Sequence, residues 1–390
     1  MNFHVAILMT DQGGYARQLL AGVARHQRSL SEPWSLHMIR LRSLDALTPC
    51  LRAWAADGNG VLGRVDSLDV QNILVETGLP VVNVSGSLAN PVFPSYLQDP
   101  SSAASLAVEL FWSRGFRHYA FVGLHRAHWS IDRGREFRSF LAAKGRPLQE
   151  IGFELVDVRA DRIRESLANW LKSMPKPLAL WACDDEMAVH VLNACRQSHI
   201  PVPDEVAVLG VDNDEAISEL VVPGLSSVVV DGEEAGFRAA RHLHHIMTSR
   251  DPTLVPLVHR LPARGVALRR STDVTAVEDD HVAAALRLIL DEACYGLRVA
   301  ELVSRLPVSR RVLERRFKAI TGRTLLEEIW TVQCRHAKSL LETTDFSMME
   351  IAERCGYEHL EHFSTVFKKT TGQPPGLYRR VSRRRALGSS

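Results

Sequence analysis

The side chains best placed to do chemistry sit at the ends of short apolar runs. Thr10-Asp11 follows the run 5–9, Ser85-Gly86-Ser87 the run 80–84, Asp184-Asp185 the run 178–182, and Asp212-Asn213-Asp214 the run 206–211. Carboxylates and hydroxyls gathered on one edge of a sheet can hydrogen-bond to vicinal hydroxyls, which is the chemistry of sugar binding. Any one of these aspartates would serve equally well as a cap for the helix that follows it. Several at equivalent strand ends favour a polar ligand cleft. A second set lies near the C-terminus on helical stretches: Arg310, Arg311, Glu314 and Arg315, then His359, Glu361, His362 and Thr365. Arginine pairs bidentately with guanine and glutamate accepts from cytosine, so such faces can read base edges. Lys318, Lys368 and Lys369 are better placed for phosphates.

Other patterns carry less. Gly58-Asn59-Gly60-Val61-Leu62-Gly63 fits G-x-G-x-x-G, but these glycines precede a strand, whereas dinucleotide binding needs them between strand and helix. No P-loop or G-x-S-x-G motif occurs, and the lack of any nucleophile–base motif disfavours an enzyme. His242, His244 and His245 are expected on a solvated helix face, and His359 with His362 on a partly exposed polar face or one that contacts nucleic acid, so no metal or other cofactor is expected. Trp112, Trp129 and Trp181 are more often buried than stacked on a sugar. The six cysteines form no CxxC pair, which points to reduced thiols. With no basic-then-apolar leader and no run near the ~18 apolar residues of a membrane span, a cytoplasmic protein away from membranes is expected.

Residues 1–272 must hold the first set in place. Apolar runs alternate with helical stretches at 15–28, 101–114, 133–143, 163–173, 185–197 and 233–248, a pattern that predicts parallel sheets covered by helices. In such folds ligands sit at the carboxyl ends of the strands. The polar stretch 273–280 reads as a linker, residues 281–382 as an all-helical domain, and 383–390 as a basic tail. Charge follows the same division. From residue 274 onward 19 lysines and arginines face 15 acids, the remainder carries a net −2, and no acid follows Lys368. A basic end on a slightly acidic body suits nucleic-acid binding by that end.

The C-terminal stretch reads as two helix-turn-helix units. In the second, Ser347 and Glu350 make a capping box. Ile351 and Ala352 allow a close helix crossing, Gly356 supplies the turn, and Phe363 and Phe367 anchor the reading helix. With Lys368-Lys369, Gly372, Pro374 and Tyr378 the pattern resembles the DNA-binding domain of the AraC/XylS family of transcription regulators. The first copy repeats the spacing through Leu302, Ser309 (an expected N-cap), Leu313 and Phe317-Lys318, and the amphipathic stretch 325–341 joins the two. Val303 and Pro307 replace the family's usual alanine and glycine, so a differently shaped first turn is expected.

The stretches 181–188 and 200–213 resemble the sensor domain of LacI/GalR regulators, of periplasmic-binding-protein fold. That resemblance implies an α/β sensor of two doubly wound parallel-sheet lobes. It also implies effector contacts at Asp99, Arg133 with Phe137 (R-x-x-x-F), Asp184 and Asp212, and Asp11, Tyr15 and Ser85 complete the expected ligand set. A LacI-like sensor ahead of an AraC-like reader is an uncommon order. The closer resemblance, through 15–18, Gly22-Val23, Trp129 to Arg133, 200–203 and 269–273, is to pentose-operon activators. The implied protein is a homodimeric, sugar-responsive transcription regulator. It binds double-stranded DNA through units about 34 Å apart in successive major grooves, takes D-xylose first among effectors, and meets RNA polymerase as an activator. The alternatives are a different sugar or polar metabolite as effector, repression in place of activation, or a solute-binding protein with an accessory tail.

Overall fold

The computed structural model describes residues 3–9, 13–40, 44–154, 160–249, 257–274 and 279–387. The chain begins β1 (His4–Met9), α1 (Gly14–Ser29), β2 (Ser35–Arg40), α2 (Leu44–Asp57), β3 (Gly60–Gly63), α3 (Leu68–Thr77), β4 (Val81–Asn83) and β5 (Ser95–Gln98). It continues α4 (Pro100–Ser113), β6 (His118–Leu124), α5 (His128–Ala142), β7 (Leu148–Phe153), α6 (Ala160–Ser173), β8 (Leu178–Ala182), α7 (Asp185–Gln197), β9 (Val206–Val211), α8 (Glu215–Leu220) and β10 (Ser226–Val229). Then come α9 (Gly232–Thr248), β11 (Val258–Leu261), β12 (Gly265–Ala267) and a single helical turn at Arg270–Thr272. The last region is helical: α10 (Asp280–Glu292), α11 (Val299–Ser304), α12 (Arg310–Thr321), α13 (Leu325–Thr343), α14 (Met348–Arg354), α15 (Leu360–Thr371) and α16 (Pro375–Leu387).

Two six-stranded sheets organise the sensor. The first runs β11-β5-β4-β3-β1-β2, parallel throughout. The second runs β12-β10-β9-β8-β6-β7, with only β12 antiparallel to its neighbour. A parallel strand covered on both faces must be apolar along its whole length. Accordingly every residue of β8 and β9 is buried. Helices cover both faces of the first sheet: Leu19, Val23, Ala239 and Leu243 of α1 and α9 seal one, and Leu47, Leu51, Val70 and Leu74 of α2 and α3 the other. A Cβ on Gly22 would stand 2.0 Å from the Glu233 carbonyl oxygen, and one on Gly236 would stand 2.1 Å from that of Leu19. The crossing of α1 and α9 therefore requires glycine on both helices.

By its contacts the chain divides into two units, Met1–Glu109 with His118–Asp273, and Leu110–Arg117 with Val274–Ser390. The stretch 273–280 is not wholly a linker: Asp279 caps α10, which starts at Asp280, while residues 275–278 lie outside the described set. Helix α16 continues to Leu387, into the stretch read as a tail. The histidines of α9 also differ from expectation. His242 meets the Tyr96 hydroxyl at 3.1 Å, and His244 accepts from Trp34 Nε1 at 3.1 Å while its ring stacks on that indole. The aromatic lining of the α1–α9 layer draws these two rings inward, off the solvated face.

Candidate ligand cleft and nucleic-acid interface

Arg133 is the centre of the cleft. It lies on α5, buried beneath the half-buried ring of Trp129 (5.0 Å to the centroid). One guanidinium nitrogen donates to the Cys183 carbonyl at 2.5 Å, and the other lies 3.7 Å from the Asp212 carboxylate. Strand β9 ends just before Asp212, whose φ of 102° is left-handed. Tyr15, near the start of α1, brings a phenol from the other lobe. Its hydroxyl accepts from Gln98 at 3.1 Å. Burial raises it to about 12, with Asp212 adding to the rise and Gln98, Arg64 and Arg133 opposing it. Strand ends of both lobes thus meet around Tyr15, Arg133 and Asp212, and further bonds tie them. Arg17 pairs with Asp214 at 2.7 Å, and Gln18 donates to the Asp212 carbonyl at 3.0 Å.

The remaining candidates fall in different places. Ser85 is buried, and its hydroxyl donates to Asp66, as does that of Ser87 at 2.8 Å. Asp99 caps α4: its two oxygens accept from Ser101 and Ser102 N–H, each at 3.2 Å. Asp184 caps α7, accepting from Met187 N–H at 2.7 Å. For these two the bland alternative, a helix cap, is realised. Phe137 must be corrected. It is wholly buried with its ring 5.0 Å from that of Trp181, so it packs inside the lobe and does not line the cleft. Trp181 lies wholly in the same core. Asp11 lies outside the described residues.

Sequence reasoning missed several groups. Asp66 follows β3 and gathers Ser85, Ser87 and Arg64 (Nε at 3.3 Å). The signal was available, since Arg64-Val65-Asp66 closes an apolar run as the other candidates do. Buried Asn83 holds that corner by accepting from Val65 and Ser85 N–H and donating to the Ser85 carbonyl. Asp185, named with Asp184 as a strand-end candidate, turns inward instead: 2% exposed, it accepts from Asp214 N–H at 2.8 Å and from the Ser227 hydroxyl at 2.6 Å. Burial, then the charge of Asp212, pushes its carboxyl well above the ordinary range.

In the helical unit each half buries its own core. Leu302, Leu313 and Phe317 pack with α10 and the start of α13, and Ile351, Ala352, Phe363 and Phe367 with its end. Ser347 and Glu350 form the capping box, and Gly356 turns with φ 83°. The first turn needs no left-handed residue, because Val308 N–H closes onto the Leu306 carbonyl at 2.8 Å. Ser309 is the N-cap of α12 by position, yet its hydroxyl accepts no capping bond. Arg310, Arg311, Arg315 and Lys318 on α12 are exposed, as are His359, Glu361, His362, Thr365, Lys368 and Lys369 at α15. Glu314 is half-buried and pairs with Arg310 at 2.8 Å. The Thr365 hydroxyl donates to the Glu361 carbonyl, and Lys369 sits 4.8 Å from the Trp330 ring centroid. A groove of about 990 Å3 opens between the halves, and Arg311, Arg315, Lys318, His359 and His362 are among its lining residues. Both candidate reading helices therefore face one groove.

Residues 108–272 match the periplasmic binding protein-like domain family, and residues 302–381 match a helix-turn-helix domain family. The xylose operon regulatory protein of Escherichia coli strain K12 is 30% identical over 97% of both chains. That of Haemophilus influenzae is 30% identical over 97% of this chain and 98% of its own. The chain belongs to the xylose operon regulatory protein family. A solved structure of the xylose-binding transcription activator XylR is 29% identical over 98% of each chain, with a TM-score of 0.62. A LacI family regulator from Enterococcus faecium with bound ribose shares the sensor fold, with a TM-score of 0.58 at 18% identity over 70% of this chain and all of its own. This member of the family is thus a sugar-sensing, DNA-binding transcription regulator and not an enzyme. Among its described residues no helix is long and apolar enough to cross a membrane.

Proposed function

We propose that D-xylose is the effector, that it closes the two lobes around Tyr15, Arg133 and Asp212, and that the protein activates pentose-utilisation genes. One observation carries this reading: a buried guanidinium roofed by Trp129 stands 3.7 Å from a carboxylate, with the Tyr15 phenol contributed by the facing lobe. Guanidinium and carboxylate make charge-assisted bonds to hydroxyls, and an indole face suits the apolar side of a pyranose ring. Ser85, Asp66, Asp99 and Asp184 border the same strand ends and would supply or orient further hydroxyl partners. On DNA, Arg310, Arg311, Arg315 and Glu314 would read one major groove, and His359, Glu361, His362 and Thr365 the next. Ser309, Lys318, Lys368 and Lys369 would meet phosphates. A homodimer would present two such readers to repeated half-sites, and activation would bring RNA polymerase into contact.

Calorimetric titration of the full-length protein with D-xylose, L-arabinose, D-ribose and D-glucose tests the ligand. D-xylose should bind at millimolar affinity or better, and Asp212→Ala should abolish that binding while leaving ligand-free DNA binding close to that of the parent. No binding of any sugar, or an undiminished response in Asp212→Ala, would overturn the assignment.

A further inference from the structure

We propose that Arg269 passes occupancy of the cleft to the chain segment leading into the helical unit, and that it does so by holding Asn213. The proposal rests on the reading that the cleft takes a sugar beside Asp212. Asp212 and Asn213 are consecutive non-glycine residues in the left-handed region, with φ of 102° and 50°. Such a backbone persists only where its surroundings over-determine it, and it clusters at ligand clamps and switches. Besides the bond from Gln18 to the Asp212 carbonyl and that from Asp212 N–H to the Val228 carbonyl, three bonds hold this one. Asn213 N–H donates to the Ser227 hydroxyl at 2.9 Å, Asp214 N–H donates to Asp185 at 2.8 Å, and Arg269 donates to the Asn213 side-chain oxygen at 3.0 Å. The first two holders are buried inside the lobe. Arg269 alone among the three belongs to the segment by which the chain leaves the sensor.

That segment is fastened to the same strands. The Arg269 guanidinium also donates to the Leu225 carbonyl at 2.9 Å, and its backbone N–H donates to the Ser226 hydroxyl at 2.8 Å. Two residues on, Ser271 donates to the Val208 carbonyl of β9 at 2.6 Å, and Thr272 meets Ser226 at 2.7 Å. Asp273 closes the sensor's unit, and α10 begins at Asp280. At its other end the loop faces Arg133 through Asp212 and reaches Arg17 of the opposite lobe through Asp214. A ligand drawing on Asp212 therefore pulls on a strained loop whose outward tether is Arg269. Coupling needs an element with two arrangements that both sites bias, and the geometry points to this loop for that role.

The test uses the full-length protein and D-xylose, with calorimetry for sugar binding and anisotropy for DNA affinity with and without sugar. Arg269→Ala should bind D-xylose, and DNA without sugar, within about threefold of the parent, while the sugar-induced change in DNA affinity falls at least about fivefold. Asn213→Gly keeps the left-handed backbone and removes only the acceptor, so it should lose the response to the same extent. The double variant should lose no more than either single one, which marks a shared interaction. Full responses in the single variants, or additive losses, would overturn the proposal. If Arg269→Ala fails to fold, by circular dichroism, Asn213→Gly decides alone. A parent protein that binds no D-xylose fails in a separate arm: it removes the sugar reading, and the coupling with it.

Discussion

At Asp185 burial decides the state of the carboxyl. The group is fully inside the lobe beneath the Asp212 loop, and desolvation, with the Asp212 charge second, holds it well above its ordinary 3.8. Folding then favours the protonated form. The stability gained by keeping it neutral is complete below about pH 4 and is lost as the pH climbs through its raised value. Asp185→Asn is neutral throughout, so its melting temperature relative to the parent should rise as the pH climbs above about 4. A difference that stays flat across that range would place the charge elsewhere. Arg133 and Asp212, 3.7 Å apart, were legible from R-x-x-x-F and from the acid after an apolar strand. Phe137 was read as a contact because it belongs to the same motif, but motif membership says nothing about which face of α5 it occupies. Asp66 was missed, and Asp185 was read as a cleft candidate although it faces the core, because an acid after a strand looks alike in sequence whether it faces solvent, ligand or core.

Among the elements, the turn of the second helix-turn-helix shows how one residue meets two demands. Gly356 has φ 83°, and a Cβ there would lie 2.8 Å from the Gly296 nitrogen and 2.9 Å from the Cys294 carbonyl oxygen. Gly372 has the same φ but open space around it. Gly372→Ala should therefore cost about 1 kcal/mol from backbone conformation alone. Gly356→Ala should cost roughly 2–4 kcal/mol, because the backbone of the first half must also move. Thermal melts of the two variants check this, and equal losses would contradict the packing argument. The caps give a parallel contrast. Ser347→Ala breaks a capping box and should lose about 1 kcal/mol, whereas Ser309→Ala breaks no such bond and should be near neutral for stability. The strands legible in sequence, β1, β3, β4, β6, β8 and β9, are interior and largely apolar, whereas the short interior strands β5 and β10, with serines in them, were not. Edge strands β2 (SLHMIR) and β7 (LQEIGF) were missed, since pairing on one side only tolerates polar and exposed residues.

For the whole molecule, sensor first and reader second was legible because each region carries a distinct period, strand–helix alternation before residue 272 and helix-turn-helix spacing after it. The limits of the helical unit were less so: α16 runs on to Leu387, and a basic stretch reads the same as helix or tail. On DNA the two kinds of basic residue should separate. Arg311→Ala or Arg315→Ala should lose roughly 1–3 kcal/mol on the specific site and far less on a scrambled duplex. Lys368→Ala should weaken both duplexes alike and lower the slope of log affinity against log salt by about 1. Equal losses on both duplexes for the arginine variants would move them to the phosphate class.

A sugar held at Arg133 and Asp212 should change how the C-terminal readers bind DNA. This coupling is tested most directly by anisotropy titration of the full-length protein on the duplex upstream of its own operon, at one fixed salt concentration, with and without saturating D-xylose. D-xylose should change the affinity at least about fivefold, D-glucose not at all, and neither sugar should change it in Asp212→Ala. Identical curves with and without D-xylose, or the same shift in Asp212→Ala, would contradict it.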